Sequence, residues 1–167
     1  MKIKKNLQSK LKKIKMLLMD VDGVLTDGTV IYLSNGQEMQ VFNTHDGYGM
    51  KVARESNLIL GIITGRKSKM AKKRAERFSF DEIHIGVEKK IEVYEKIKLK
   101  YNLNNNEIAF IGDDIPDLEV LNKVGFSASP KNAIREIKNC VDFVSNFDGG
   151  KGVVREIIDL ILKHKNK

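Results

Sequence analysis

Short apolar, β-branched runs alternate along this chain with longer stretches whose apolar residues recur at helical spacing. This alternation predicts a parallel sheet whose strands are connected by helices. We therefore expect an α/β fold with a doubly wound, Rossmann-like parallel sheet and helices on both faces. The predicted strands are residues 15–20, 58–63, 81–85, 107–112, 125–128 and 142–144, and the predicted helices are residues 47–56, 68–78, 90–101, 116–124, 132–139 and 151–164.

One segment breaks the alternation directly after the first predicted strand. Residues 29–33 and 38–42 are strand-like runs, and the Asn35-Gly36 pair between them is a strong signal for a hairpin turn. A β-hairpin flap of about residues 29–42 is therefore predicted after the first strand. A lone ribbon is marginally stable, and this one carries more apolar surface than a free flap should expose, so we expect an oligomer to cover it.

Composition sets limits on the class of protein. The chain has 167 residues, of which 41% are apolar and 31% charged, which predicts a single packed domain over residues 1–167. Its one cysteine, Cys140, excludes an intrachain disulfide and favours a reducing, cytoplasmic location. The apolar run Met16–Met19 is far too short for a signal sequence or a membrane span, so no membrane partner is expected.

The formal net charge of +8 raises the question of nucleic-acid binding. The lysines are, however, spread along predicted helices and interleaved with glutamates, and few aromatic residues are placed for base stacking. We interpret the charge as a solvated basic surface, and no nucleic-acid partner is expected.

Four predicted strands end in clusters of polar residues. Turn and helix-cap chemistry explains each cluster alone, but the carboxyl ends of parallel strands meet at one edge, where ligands bind. Carboxylate oxygens suit Mg²⁺, and a lysine and a hydroxyl beside them suit phosphoryl transfer through an aspartyl-phosphate intermediate. The clusters are Asp20-Val21-Asp22-Gly23, Thr64-Gly65-Arg66, Gly86-Val87-Glu88-Lys89-Lys90 and Gly112-Asp113-Asp114-Ile115-Pro116-Asp117.

These motifs resemble those of haloacid dehalogenase superfamily phosphatases, whose first motif is Asp-x-Asp-Gly. Within the superfamily, the chain is most similar to the capless 3-deoxy-D-manno-octulosonate 8-phosphate phosphatases. The similarity runs from about residue 15 to residue 162. It is carried by residues 20–28, 42–49, 63–66, 112–117 and 149–156.

The resemblance implies a role for each catalytic position. Asp20 is expected to be the nucleophile, and Asp22 to protonate the leaving oxygen and then to activate water. Thr64 is expected to hydrogen-bond the phosphoryl group. Lys90 is expected to balance the charge of the nucleophile and the phosphate, with Lys89 as its rival for that role.

The resemblance also implies a magnesium site. Its ligands are expected to be the side chains of Asp20 and Asp113 and the backbone carbonyl of Asp22. Asp114 and Asp117 are expected to orient waters and Lys90 from behind these ligands.

A sugar acid substrate presents a carboxylate and several hydroxyls, which calls for arginine, lysine and exposed backbone amides. His45 stands where relatives often carry arginine, and a neutral imidazole cannot fork a carboxylate, so the substrate's identity stays open at this point. The expected substrate-binding residues are Asp22, Asn43, Thr44, His45, Asp46, Gly47, Lys51, Gly65, Arg66, Arg74 and Lys90.

The resemblance as a whole implies hydrolysis of 3-deoxy-D-manno-octulosonate 8-phosphate for lipopolysaccharide synthesis. It further implies a homotetramer in which each hairpin helps to cover a neighbour's active site. One alternative is the same chemistry on a nine-carbon sialic-type sugar acid phosphate. Alternatives of another class are a non-catalytic binding domain and a phospho-accepting receiver. A receiver's acceptor would lie on a middle strand, but the middle strand of this chain ends in Thr64, so no acceptor is available there.

Overall fold

The structure of the protein is a computed structural model that describes residues 5–165. Its centre is a sheet of six parallel strands in the order β5-β4-β1-β6-β7-β8. The first strand, β1, lies in the middle of the sheet. The chain then adds β4 and β5 on one side and β6, β7 and β8 on the other. This order confirms the predicted doubly wound topology. The strands are β1 (Met16–Met19), β4 (Ile59–Thr64), β5 (Glu82–Ile85), β6 (Ile108–Ile111), β7 (Phe126–Ser129) and β8 (Phe143–Val144).

Helices cover both faces of the sheet. Leu17 and Met19 of β1 face one apolar cluster, and Met16 and Leu18 face the other. Because both faces are buried, β1 has no polar position. The first cluster includes residues of α1 (Lys5–Leu11), α2 (Thr44–Glu55), α3 (Lys69–Arg77) and α7 (Val153–Lys165), and the second includes residues of α4 (Lys90–Lys100), α5 (Leu118–Leu121) and α6 (Arg135–Cys140).

The hairpin is present but shorter than predicted. Its strands, β2 (Ile31–Tyr32) and β3 (Glu38–Met39), pair antiparallel around a turn in which Gly36 has a φ of +79°. A ribbon with little packing of its own keeps regular pairing only near its turn. Its exposed apolar side chains are Tyr32, Leu33, Met39 and Val41.

Helix α2 begins three residues earlier than predicted and α6 three residues later, and two further helical segments depart more from the prediction. The pattern over residues 116–124 predicts one helix, whereas the chain forms a 3₁₀ turn over Ile115–Asp117 and then the short α5. Helix α1 was not predicted, because only Leu7 and Leu11 mark its apolar face in a lysine-rich segment. Among the described helices, none combines the length and the apolar character that a membrane crossing requires.

Candidate active site

A pocket of about 480 Å³ opens at the carboxyl ends of β1, β4 and β6, where the order of strand addition reverses. This is the edge at which ligands bind in doubly wound sheets. All four polar clusters of the sequence contribute to it. The pocket is lined by Asp20, Asp22, Gly23, Gly28, Thr64, Gly65, Arg66, Val87, Glu88, Lys90, Asp113, Asp114, Pro116 and Asp117.

Lys90, the first residue of α4, joins two carboxylates at the floor of the pocket. Its Nζ lies 2.8 Å from Asp20 Oδ1 and 2.7 Å from Asp117 Oδ1. All three residues are buried. We call this arrangement the Lys90 bridge. A buried charge is stable only when it is paired. The bridge therefore holds the carboxyl end of β1 and the start of α4 against the loop that follows β6.

Burial and mutual repulsion set the pKa values of these groups. Burial, together with the charge of Asp117, raises the pKa of Asp20 to about 6 against the opposing effect of Lys90. Burial acts to lower the pKa of Lys90, but Asp20 and Asp117 outweigh it and hold the pKa above its ordinary value. Burial, with Asp20 and Asp117 adding to it, raises the pKa of Asp113 to about 7.

Three carboxylates, those of Asp20, Asp113 and Asp117, offer oxygens that all lie within 4.8 Å of one another. With one ammonium among them, two negative charges remain uncompensated when all three are ionised, which a divalent cation would balance. Asp113 Oδ1 is buried and has no hydrogen-bond partner among residues 5–165. The residues present therefore fit a hard, oxygen-liganded cation such as Mg²⁺.

Both carboxylate oxygens of Asp117 already accept hydrogen bonds from within the chain. Its Oδ1 contacts Lys90, and its Oδ2 accepts from the backbone N–H of Asp113 at 3.0 Å and of Asp114 at 3.5 Å. Asp20 and Asp113 therefore stay the predicted side-chain ligands of the cation. The chain turns tightly beside Asp113: Gly23 has a φ of +86°, and a Cβ there would lie 2.0 Å from Asp113 Oδ2.

Asp22 points toward the hairpin. Its Oδ1 accepts from Gln40 Nε2 at 2.9 Å, and its Oδ2 accepts from Arg66 Nε at 3.0 Å. Arg66 Nη1 also lies 3.6 Å from Glu38 Oε2, and the hydrogen bond to Asp22 raises the pKa of the Arg66 guanidinium. Residues of the hairpin therefore contact the residue expected to act as acid and base.

Comparison with known proteins agrees with this geometry. A model of the haloacid dehalogenase-like hydrolase family matches residues 68–157. The chain is 35% identical over 162 residues to the 3-deoxy-D-manno-octulosonate 8-phosphate phosphatase of Salmonella typhi, an alignment that covers 97% of this chain and 86% of the relative. The chain belongs to the 3-deoxy-D-manno-octulosonate 8-phosphate phosphatase family.

Solved structures of this family have the same fold. The Moraxella catarrhalis phosphatase, in complex with magnesium ion, phosphate ion and a KDO molecule, is 37% identical with a TM-score of 0.95, over 98% of this chain and 94% of that one. The Yersinia pestis phosphatase is 32% identical, also with a TM-score of 0.95, over 98% of this chain and 88% of that one.

The remaining catalytic positions expected from the family lie at the pocket. Thr64, the last residue of β4, is buried, and its Oγ accepts from Arg66 N at 3.3 Å. Between the two rival lysines, Lys90 lies in the pocket, whereas Lys89 is exposed and pairs with Glu92 at 3.4 Å. Asp114 lines the pocket wall and accepts from the N–H of Ile115.

The substrate-binding residues expected around the start of α2 do not line this chain's own pocket. Asn43 Oδ1 caps α2 by accepting from His45 N at 2.8 Å. Arg74 lies over the rings of Phe42 and Phe78 and donates to Asn43 O at 2.7 Å. A Cβ on Gly47 would lie 2.8 Å from Arg74 Nη2, so the junction is tightly packed.

Asp46 is also held by the fold. It is 1% exposed and accepts from Gly152 N at 3.3 Å and Arg155 N at 2.8 Å, which ties α2 to the start of α7. Burial raises its pKa against these hydrogen bonds. Residues 149–156 therefore have a structural role, because two of their backbone N–H groups hold Asp46 at the junction of α2 and α7.

Thr44, His45 and Lys51 are exposed on α2. His45 lines a separate groove with Phe147, and Lys51 pairs loosely with Glu55 at 3.8 Å. Their expected contact with substrate stays a prediction, and none of the three lines the pocket of its own chain. Sequence reasoning missed Gln40, which contacts Asp22, and Glu38, which contacts Arg66, since nothing in the hairpin pattern marks either contact.

The raised pKa of Asp113 predicts how the metal-free protein responds to pH. A carboxyl whose pKa is higher folded than unfolded loses stability as pH rises from its unfolded pKa toward its folded pKa, here from about 4 to about 7. Asp113→Asn removes this loss. With chelator present, we expect the variant to have a higher Tm than the wild type at pH 8, by about 2–4 °C for each kcal/mol gained, and a smaller advantage at pH 5.

Thermal unfolding followed by circular dichroism measures both proteins. Asp114→Asn, at the exposed neighbouring position, is the comparison and should show a much smaller pH-dependent gain, because Asp114 is the weakest of the charges that raise the pKa of Asp113. Magnesium should stabilise the wild type more than Asp113→Asn. Equal Tm values for the wild type and Asp113→Asn at pH 8 without metal would contradict the raised pKa of Asp113 and the loss of stability that follows from it.

Proposed function

We propose that this chain is a magnesium-dependent phosphoric monoester hydrolase that converts 3-deoxy-D-manno-octulosonate 8-phosphate to 3-deoxy-D-manno-octulosonate and phosphate for lipopolysaccharide synthesis. The observation that carries the proposal is the buried Asp20, bridged by Lys90 and next to Asp113, in a chain 35% identical to a phosphatase of that name. A carboxylate nucleophile with adjacent cation ligands is the equipment of phosphoryl transfer through an acyl phosphate.

In the first half-reaction, an oxygen of Asp20 attacks phosphorus while the bond from phosphorus to the ester oxygen breaks. Asp22 gives its proton to the departing sugar oxygen, which would otherwise leave as a strongly basic alkoxide. Thr64 Oγ donates to the transferring phosphoryl group. Lys90 keeps Asp20 ionised and offsets the charge of the incoming phosphate.

In the second half-reaction, water attacks the aspartyl phosphate and gives its proton to Asp22. The bond between Asp20 and phosphorus breaks, phosphate leaves, and both carboxyl groups return to their starting protonation. Asp20, Asp113 and the backbone carbonyl of Asp22 would hold Mg²⁺, which supplies positive charge to the phosphoryl oxygens when bound.

Arg66 is the residue through which the substrate carboxylate is best recognised. It lies at the pocket wall with a planar guanidinium suited to a carboxylate, and its present partners are the carboxylates of Asp22 and Glu38. A sugar acid would compete with Asp22 for this guanidinium. Binding of an anionic substrate would therefore free an oxygen of Asp22 beside the reacting phosphate.

We propose that the working form is a homotetramer in which neighbouring hairpins cover the active sites. Tyr32 and Val41 are 69% and 60% exposed, a degree of apolar exposure that an interface would remove. His45 and Lys51, which do not reach their own pocket, would then be available to a neighbour's. We further propose that residues 1–167 form one domain, supported by two apolar clusters on one sheet, and that it acts in the cytoplasm, where its lone Cys140 needs no partner.

A phosphate-release screen across sugar acid phosphates tests the activity. With magnesium, we expect the eight-carbon 3-deoxy-octulosonate 8-phosphate to be hydrolysed with a kcat/KM at least tenfold above a nine-carbon sialic-type 9-phosphate. Asp20→Asn keeps the shape of the side chain but removes the nucleophile, so its rate should fall by at least about a thousandfold. A preference for the nine-carbon ester would overturn the substrate, and an active Asp20→Asn would overturn the chemistry.

Light scattering tests the assembly. The wild type should have four times the mass of one chain, and a double variant with Tyr32→Ser and Val41→Ser should shift toward smaller species, because it removes apolar surface from the hairpin. Leu99→Ser, at an exposed apolar position on α4, is the matched control and should leave the mass unchanged. A monomeric wild type would refute the shared-site proposal.

A further inference from the structure

Asp22 receives two hydrogen bonds, and the two donors differ in kind. Arg66 is a charged residue of the pocket wall, and an anionic substrate competes for it. Gln40 is a neutral residue of the segment that follows β3, and it lies 2.9 Å from Asp22 Oδ1. A neutral amide has little attraction for the substrate carboxylate, so its bond to Asp22 persists when Arg66 is drawn away.

The orientation of the Gln40 amide is fixed from its other end. Ser68, the N-cap of α3, accepts from Ala71 N at 3.0 Å, and its hydroxyl donates to Gln40 Oε1 at 2.5 Å. Ser68 is buried, and Gln40 is partly buried. With its oxygen occupied by this donor, the Gln40 amide must present its NH₂ group to Asp22.

We propose that Gln40 is a positioning residue for Asp22, held in place by Ser68, and that it couples the hairpin to proton transfer. This inference rests on the proposed function, since it concerns the acid of that reaction. With Gln40 donating to Oδ1, that oxygen serves as the carbonyl oxygen of the protonated acid, and Oδ2 carries the proton. The carboxyl plane then stays fixed while Oδ2 gives its proton to the sugar oxygen and the ester bond breaks.

A comparison of leaving groups distinguishes this role from a merely structural one. A sugar alkoxide needs a proton in order to leave, whereas p-nitrophenolate leaves without one. Gln40→Met keeps the length of the side chain but cannot donate. We expect it to lower kcat/KM for 3-deoxy-octulosonate 8-phosphate at least tenfold, mainly through kcat, and to lower kcat/KM for p-nitrophenyl phosphate less than threefold.

Two further variants serve as comparisons, one with a larger expected effect than Gln40→Met and one as a control. Gln40→Glu presents a carboxylate to Asp22 and should lower sugar phosphate hydrolysis more than Gln40→Met does. Gln8→Met makes the same change on α1, outside both the pocket and the hairpin, and should change neither substrate's rate. Equal losses on both substrates for Gln40→Met, or no loss on either, would overturn the proposal.

The substrate proposal and the Gln40 proposal fail in different ways. If 3-deoxy-octulosonate 8-phosphate is not hydrolysed, the proposed substrate fails, and the same comparison is made with β-glycerophosphate as the alkyl ester. A wild type that cleaves no alkyl phosphate would overturn both. Crystal structures of the wild type and of Gln40→Met, each with bound 3-deoxy-octulosonate to occupy Arg66, give a readout without turnover: the Asp22 carboxyl should rotate away from its wild-type orientation in the variant, and an unchanged orientation would refute the positioning role.

Discussion

The buried ammonium of Lys90 is the constraint on which the site depends. An ammonium with 5% exposure requires anionic partners, and the chain supplies them from the end of β1 and from the loop after β6. Asp117 extends this constraint to the loop after β6, because its Oδ2 accepts hydrogen bonds from the backbone N–H groups of Asp113 and Asp114. One buried charge thereby sets the relative positions of Asp20, the expected nucleophile, of Asp113, an expected metal ligand, and of the start of α4.

The same constraint creates the demand for a cation. Lys90 balances only one of the three carboxylates near it, and the burial and repulsion that remain raise the pKa values of Asp20 and Asp113. A divalent ion held by Asp20 and Asp113 would relieve this repulsion and would supply positive charge to a bound phosphate. The expected metal ligands and the expected catalytic residues therefore share the same excess of negative charge. They lie together at the edge of the sheet where the order of strand addition reverses.

The sequence predicts the sheet and this edge well, for a physical reason. Fully apolar runs such as Met16–Met19 occur where both faces of a strand are buried, and polar residues directly after such strands share one edge by topology alone. The surroundings of Asp46 and Arg74 were not predictable in this way. A polar residue near a helix start looks the same in sequence whether it faces a ligand or, as here, holds a helix junction together.

The contact between Gln40 and Asp22 illustrates a second limit. It joins the hairpin to the first strand's loop, and it depends on the path of a ribbon with little packing of its own, which no local pattern encodes. Local patterns specify elements, and long-range polar contacts follow only once those elements are placed. For this reason the contacts of Asp22 became visible only in the structure, while the role expected of Asp22 comes from the resemblance to the phosphatase family.

Chemical trapping on Asp20 tests the central claim most directly. Asp22→Asn, incubated with magnesium and ³²P-labelled p-nitrophenyl phosphate, forms the acyl phosphate without needing an acid and lacks the base that hydrolyses it. After an acid quench, we predict hydroxylamine-sensitive label on the peptide that contains Asp20, and none in a variant that also carries Asp20→Asn. Release of p-nitrophenol without protein-bound label, or label on any other residue, would contradict the account.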